Sequence, residues 1–195
     1  MPVTIGQGPA PDFDRPIELM IDCHRRIEKF LLVLDHVARK AILDAQTRPA
    51  LDTALTYFKT AGARHNTDEE GDLFPALSAL GGQAAELVEK MNRLAAEHRL
   101  AEIVHHRLDE LGGQWLKVSQ LSEVDLAEFR RLIKQLIGFY TRHIAMEETE
   151  VFPVAAKALD SATLQQIGRN MRARRVENPK RSDSQCAQRR KTRWE

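Results

Sequence analysis

Apolar residues recur at the three-to-four-residue interval of one helix face in four long stretches of the chain. The first predicts a helix from Pro16, a residue favoured in a first helical turn, to about Leu43, with a stripe of Ile17, Met20, Ile21, Ile27, Leu31 and Leu34. The second spans about Pro49 to Asp72 and sets Leu55, Phe58, Ala61 and Leu73 on one side. The third runs from about Gln83 to Leu111 through Leu87, Met91, Leu94, Ala101 and Leu108, and Gly112-Gly113 is expected to end it. The fourth starts after Ser122, whose hydroxyl can cap it, and carries Leu126, Phe129, Leu132, Ile133, Leu136 and Phe139. Shorter helical pieces are expected after Pro75 and Pro153, and a further helix from Ser161 to about Arg172. Long amphipathic helices with short connections predict an all-α fold, an antiparallel up-down four-helix bundle with a short extra C-terminal helix.

Composition adds boundaries and a charge asymmetry. Leu, Ala, Glu and Arg are abundant while aromatics make up 6%, which favours helices over strands. The 195 residues suit one well-buried core, with a disordered segment expected over 1–14, the bundle over 15–158, the short helix over 159–174 and a disordered basic tail over 175–195. From Arg172 onward nine basic residues stand against three acidic ones, although the whole chain carries only +1. Such a tail has too little apolar surface to offset its ordering entropy, so a solvated tail is the plain reading and contact with an acidic partner or nucleic acid the alternative. Cys23 and Cys186 cannot build a disulfide framework, no basic-then-apolar leader is visible, and no stretch approaches the roughly 18 apolar residues of a membrane span. The expectation is a cytoplasmic protein without a membrane partner, monomeric or homodimeric.

The second half of the chain repeats the first. His65-Asn-Thr-Asp-Glu69-Glu70-Gly-Asp-Leu73-Phe74-Pro75 aligns without a gap on His143-Ile-Ala-Met-Glu147-Glu148-Thr-Glu-Val151-Phe152-Pro153, at an offset of 78. Upstream, His24-Arg-Arg-Ile-Glu28 aligns on His98-Arg-Leu-Ala-Glu102 at an offset of 74. A helical hairpin repeated and packed on itself brings equivalent positions around one pseudo-twofold axis, so the four matched histidines should converge.

At about 100° per residue, each of these histidines falls in the middle of its helix's apolar stripe. Glu69 and Glu147 lie one turn, about 5.4 Å, beyond His65 and His143 on the same face, so each pair can lean onto one metal pair. A carboxylate in an apolar core is costly unless it is paired or ligates a cation. A lone core histidine is ordinarily a hydrogen-bonded structural residue; six residues of ligating type on four core stripes are a metal site.

His on the first helix, His-x-x-x-Glu on the second, His on the third and His-x-x-x-Glu on the fourth resembles the hemerythrin-like, or HHE cation-binding, family over about residues 15 to 158, down to the Glu-Glu-x-x-Leu/Val-Phe-Pro trailers. The resemblance implies two iron ions, with His24, His65, His98 and His143 as terminal ligands, Glu69 and Glu147 as bridges, and an oxo or hydroxo bridge between the metals. Zinc or manganese could substitute. It further implies a protein that binds, senses or reduces a small oxidant (oxygen, nitric oxide or peroxide), with oxygen binding or a stress response as its setting. The alternative is an iron-responsive interaction module or iron-handling protein without catalytic turnover. Carriers of oxygen have a fifth histidine four residues after the first one of the third helix; here that position is Glu102, which favours reaction or sensing over carriage. A ferritin-like site would need Glu-x-x-His on two helices, and only Glu102 and His105 offer that spacing.

Other candidates rank lower. His105 lies too far along its helix for the same metals and is expected behind the ligands or in the core. His36 and His106 are expected at the surface, and Cys23 in packing. Glu28 and Glu102 are either solvated or acceptors for ligating imidazoles. Glu70 and Glu148, one residue off the ligand face, are expected to be solvated, and Tyr140 either to pack or to reach the site. No nucleophile triad, phosphate loop or nucleotide fingerprint occurs.

Overall fold

Asp44 gathers the backbone N–H groups of Gln46 and Thr47 on one carboxylate oxygen, at 2.9 and 2.7 Å, while Thr47 Oγ1 accepts from the Asp44 N–H at 2.9 Å. This reciprocal arrangement satisfies donors that a helix start would leave bare. The helix behind it therefore begins at Thr47, a little before Pro49. The computed structural model describes residues 12–176, and all its long elements are helices: α1 (Pro16–Ala38), α2 (Thr47–Tyr57), α3 (Ala63–Asp68), α4 (Phe74–Ser78), α5 (Ala85–Val118), α6 (Glu123–Met146), α7 (Phe152–Ala158) and α8 (Ser161–Val176). No strand occurs among the described residues, only an isolated bridge between Ile42 and Gln120. The expected segment 1–14 and the tail lie largely outside the described residues.

Two helix ends differ from the sequence reading. Helix α1 stops at Ala38, short of Leu43, because the Leu43 N–H bonds to the Ser119 carbonyl at 3.0 Å in place of an intrahelical acceptor. Helix α5 runs straight through Gly112-Gly113 and ends at Ser119, which takes a left-handed φ of 66° and returns its N–H to the Trp115 carbonyl at 2.9 Å. Gly112 is required by a close approach: a Cβ there would lie 2.6 Å from Leu55 Cδ1. Helix α6 begins as expected, with Ser122 Oγ accepting from the Asp125 N–H at 3.1 Å.

Helix α1 packs on α2 and α6, and α5 packs on the same two. The apolar interior falls into two clusters. One gathers Leu34, Leu51, Trp115, Phe129 and Ile133, the other Met20, Leu73, Leu77, Leu94, Phe152 and Met171. Every candidate histidine lies between them: His24 between Met20 and Ile27, His98 between Leu94 and Ala101, His65 between Phe58 and Leu73, His143 between Tyr140 and Val151. The core is an apolar stack interrupted by one polar layer.

Among the described residues, three π-helical turns interrupt the helices, at Phe58–Gly62, Glu69–Leu73 and Glu147–Val151. The last two are repeat partners, and each begins at a candidate carboxylate. Pro75 and Pro153 follow directly, lacking an N–H and crowding the carbonyl of the preceding turn, and the wider turn accommodates them. It also re-aims the residues it contains.

Helix α8 covers α1 and α3. It buries Ile167, Gly168 and Met171, and Gly168 lies so near Phe13 that a Cβ would sit 1.8 Å from the Phe13 carbonyl oxygen. Arg172 and Arg175 lie over the Phe13 ring, 5.1 and 5.6 Å from its centroid.

Candidate metal centre

The four histidines and two glutamates meet in the polar layer, none more than 3% exposed. His24 Nε2 is 3.1 Å from Glu147 Oε2 and 3.9 Å from Glu69 Oε1. His65 Nε2 is 3.3 Å from Glu69 Oε1, His98 Nε2 3.5 Å from Glu69 Oε2, and His143 Nε2 3.0 Å from Glu147 Oε1. Ligand atoms form two overlapping groups, His24–His65–Glu69–Glu147 and His98–His143–Glu147. All six residues singled out in the sequence are thus brought together, with Glu147 common to both groups.

The hydrogen bonding of this layer fits a cation. Both oxygens of Glu69 and of Glu147, and Nε2 of His24, are buried with no aligned hydrogen-bond partner, although imidazole nitrogens stand close to them. His98 and His143 give their Nδ1–H groups to Glu70 Oε1 (2.7 Å) and Glu97 Oε2 (3.0 Å), since carboxylates only accept. Their Nε2 atoms face each other at 2.9 Å, and each also stands close to a buried carboxylate, His98 to Glu69 and His143 to Glu147. Acceptors converging on acceptors in a dry interior are unfavourable without a positive charge between them.

Ionisation follows the same geometry. Burial, then the neighbouring Glu147 charge, pushes the Glu69 carboxyl well above the usual carboxylate range. Burial pushes Glu147 up too, but the His143 and His24 imidazoles close beside it outweigh burial and hold the carboxyl low. Burial, with His24 nearby, lowers His65 well below its ordinary value, and burial with His143 lowers His98. His143 moves up: burial opposes its charge, but Glu147 and Glu97 prevail. Neutral imidazoles and at least one ionised carboxylate are the forms that ligate metals.

A second ring of residues was only partly foreseen. Glu148 and Glu70 are not simply solvated: Glu148 Oε1 accepts from His24 Nδ1 at 2.8 Å and Glu70 accepts from His98, so each repeat's second glutamate holds the other repeat's histidine. The π turn, which breaks the 3.6-residue register, is the physical reason the sequence reading missed this. Glu97, unremarked in the sequence, backs His143 and is tied to Arg93 at 3.0 Å. Asp68 was missed as well. It is fully buried and bound by Arg174 Nε and Arg175 Nη2, each at 2.7 Å, while Arg174 also reaches Asp72. Its position three residues after His65, on the same face, was the available signal.

The remaining candidates divide cleanly. Glu28 pairs with Arg25 at 2.7 Å and Glu102 is exposed, and neither meets an imidazole. His36 and His106 are exposed, and Cys23 is buried. Tyr140 is buried and its hydroxyl meets His105 Nε2 at 3.0 Å, while the His105 ring stacks on Phe58 with centroids 4.5 Å apart. A cavity of about 530 Å³ opens beside α3 and α5, and His98, Glu70, Gly62, His105 and Tyr140 line it.

A helical protein whose core is split by a buried His/carboxylate layer is a cation-binding helical protein. The sequence matches the family described as "Hemerythrin HHE cation binding domain" over residues 15–155, and the chain belongs to that family. It is also 28% identical over 166 residues, 84% of this chain and 91% of the other, to a Haemophilus influenzae (strain Rd) protein described as "Uncharacterized protein". No helix among the described residues is long and apolar enough to cross a membrane.

Proposed function

We propose that this protein is a non-haem di-iron protein, an antiparallel four-helix bundle in which His24, His65, Glu69, His98, His143 and Glu147 hold two iron ions and through them bind, sense or reduce a small oxidant: oxygen, nitric oxide or peroxide. The observation that carries the reading is the set of four unpartnered, buried carboxylate oxygens of Glu69 and Glu147, lying among imidazole nitrogens. Mixed imidazole and carboxylate donors suit iron, with zinc or manganese as substitutes. When bound, the irons would supply electrons and Lewis acidity to the small ligand.

The chain's own residues supply the rest. Glu70, Glu97 and Glu148 orient three imidazoles and make them better donors. The apolar clusters on either side keep water from the layer. The cavity lined by His98 leads to the layer from the side of Gly62, and Tyr140, its hydroxyl kept protonated by burial and paired with His105, lines it as well. Absence of a histidine at Glu102 leaves a coordination position for a reacting ligand. We place this activity in the cytoplasm, in a monomer or homodimer.

A second reading, an iron-responsive module that changes partners with metal occupancy, is favoured by one feature. Asp68 adjoins Glu69 and is clamped by Arg174 and Arg175, at the base of the basic C-terminal segment, so a shift at Glu69 is felt where an acidic partner would bind. Metal analysis after expression with iron tests the common premise. About two ions per chain are expected, with occupancy nearly lost in Glu69→Ala and Glu147→Ala and affinity lowered about 10–100-fold in Glu70→Ala and Glu148→Ala. An intact fold without metal would overturn both readings. Oxidant-dependent spectral change in the loaded protein supports the first, and metal-dependent binding to an acidic partner without it supports the second.

A further inference from the structure

The repeat that matches the ligands does not match what stands behind them. His24 and His98 are repeat partners, and both are backed by a carboxylate, Glu148 at 2.8 Å and Glu70 at 2.7 Å. His65 and His143 are partners also. His143 Nδ1 meets Glu97 at 3.0 Å, whereas His65 Nδ1 is buried and meets no hydrogen-bond partner. The offset of 74 that relates the first and third helices puts Cys23 at the position of Glu97. The missing acceptor has a sequence cause.

We propose that the two metal positions are unequal, with the His98–His143 position filled before the His24–His65 position, because Glu97 backs His143 while Cys23 leaves His65 unsupported. The proposal rests on the two-metal reading above. To ligate through Nε2, which faces Glu69 at 3.3 Å, His65 must carry its proton on Nδ1, and that N–H then lies buried without an acceptor. Without metal the proton can sit on Nε2 toward Glu69 instead. Binding at His65 therefore forces the unfavourable tautomer, whereas binding at His98 and His143 uses the tautomer their carboxylates already select. A carboxylate behind a ligating imidazole is typically worth 10–100-fold in metal affinity. The two positions differ by one such contact, three being present across four histidines.

The consequence is a protein with a populated one-metal state, in which the bridges Glu69 and Glu147 are only half engaged. A mixed-metal centre is equally accessible, with a tightly held ion at His98–His143 and an exchangeable one at His24–His65.

The experiment is titration of the full-length metal-free protein with cobalt(II), followed by its visible absorption and by calorimetry. Two binding steps separated by about 10–100-fold are expected. His65→Ala should retain the tighter step and lose the weaker, and His98→Ala should lose the tighter. Glu97→Ala, at a partly exposed position that tolerates truncation, should weaken the first step by about 10–100-fold and bring the two together. Two equal steps in the wild-type protein, or a Glu97→Ala variant in which only the weaker step changes, would overturn the inequality while leaving the two-metal reading intact. A folded protein that takes up no cobalt would overturn that reading itself.

Discussion

Arg174 Nε lies 2.7 Å from Oδ1 of Asp68, and Asp68 is the residue immediately before Glu69. Arg175 takes the other carboxylate oxygen at 2.7 Å, so among the described residues the ion pairs of this fully buried aspartate come from helix α8. The repeat partner of Asp68 is Met146, which has no charge to meet, so this clamp exists on one half of the protein alone.

Removing the partners of a buried charge costs about 3–5 kcal/mol. Because the two arginine side chains are about a quarter exposed, the low end, about 3 kcal/mol, is expected for Arg174→Ala/Arg175→Ala. Truncation after Val176 should leave stability and metal content nearly unchanged. Urea denaturation of the three proteins checks this. Equal stability of the double variant and the truncated chain would show that α8 contributes nothing through Asp68.

The six candidate ligands were legible because ligation needs particular residue types at particular helical spacings, and the repeat sets them out as three matched pairs. The long helices were legible from periodicity. What periodicity could not show were departures from 3.6 residues per turn: the π turns at Glu69 and Glu147 swing Glu70 and Glu148 onto His98 and His24. Nor could it show contacts set by two helices together. Gly112-Gly113 reads as a helix end in one dimension, and only the packing of α2 on α5 gives Gly112 its reason.

That pair of glycines separates two effects of adding a methyl group. At Gly113 nothing lies within 4 Å of a new Cβ, so Gly113→Ala should stabilise by up to about 1 kcal/mol through helix propensity. At Gly112 the same gain is opposed by displacing Leu55, which is buried, at about 1–3 kcal/mol. Thermal unfolding should rank Gly113→Ala above wild type and Gly112→Ala below it. The reverse order would contradict the close approach of α2 and α5.

His105 should make the metal-free protein acid-sensitive. Burial lowers its pKa to about 4, against about 6.5 in an unfolded chain. A lowered histidine pKa means the unfolded state binds the proton first, so its contribution is fully present above pH 6.5 and is lost as pH falls toward 4, by about 3 kcal/mol. His65 and His98 act in the same direction and His143 in the opposite one, but all three are common to wild type and variant. His105→Leu, which installs the residue of its repeat partner Leu31, should lose about 1 kcal/mol at pH 7 with the Tyr140 hydrogen bond. Below pH 6 its stability should fall less steeply than that of wild type. Parallel pH profiles in urea denaturation would rule out His105 as a titrating group in this range.

Gly62 lines the cavity beside His98 and Glu70. Its repeat partner is Tyr140, so where the second half of the chain places a large aromatic, the first half leaves space, and the cavity beside His98 and Glu70 occupies that side. The backbone at Gly62 is helical, with φ −62°, and a Cβ would rest at an ordinary 3.5 Å from Phe58 Cδ1. Gly62→Ala is therefore expected to fold and to leave the cavity open, while Gly62→Leu extends a branched side chain into it. With iron loaded, azide is a suitable probe because it is small, anionic and does not turn over. Its association rate should be near wild type in Gly62→Ala and at least about tenfold slower in Gly62→Leu, a barrier change of about 1.4 kcal/mol. Iron content and the spectrum without azide should match wild type in both variants, since Gly62 touches no ligand. Unchanged azide association in Gly62→Leu would mean that small ligands reach the metals by another path, and loss of iron would mean that the Phe58–Gly62 turn positions His65 instead of guarding an entrance.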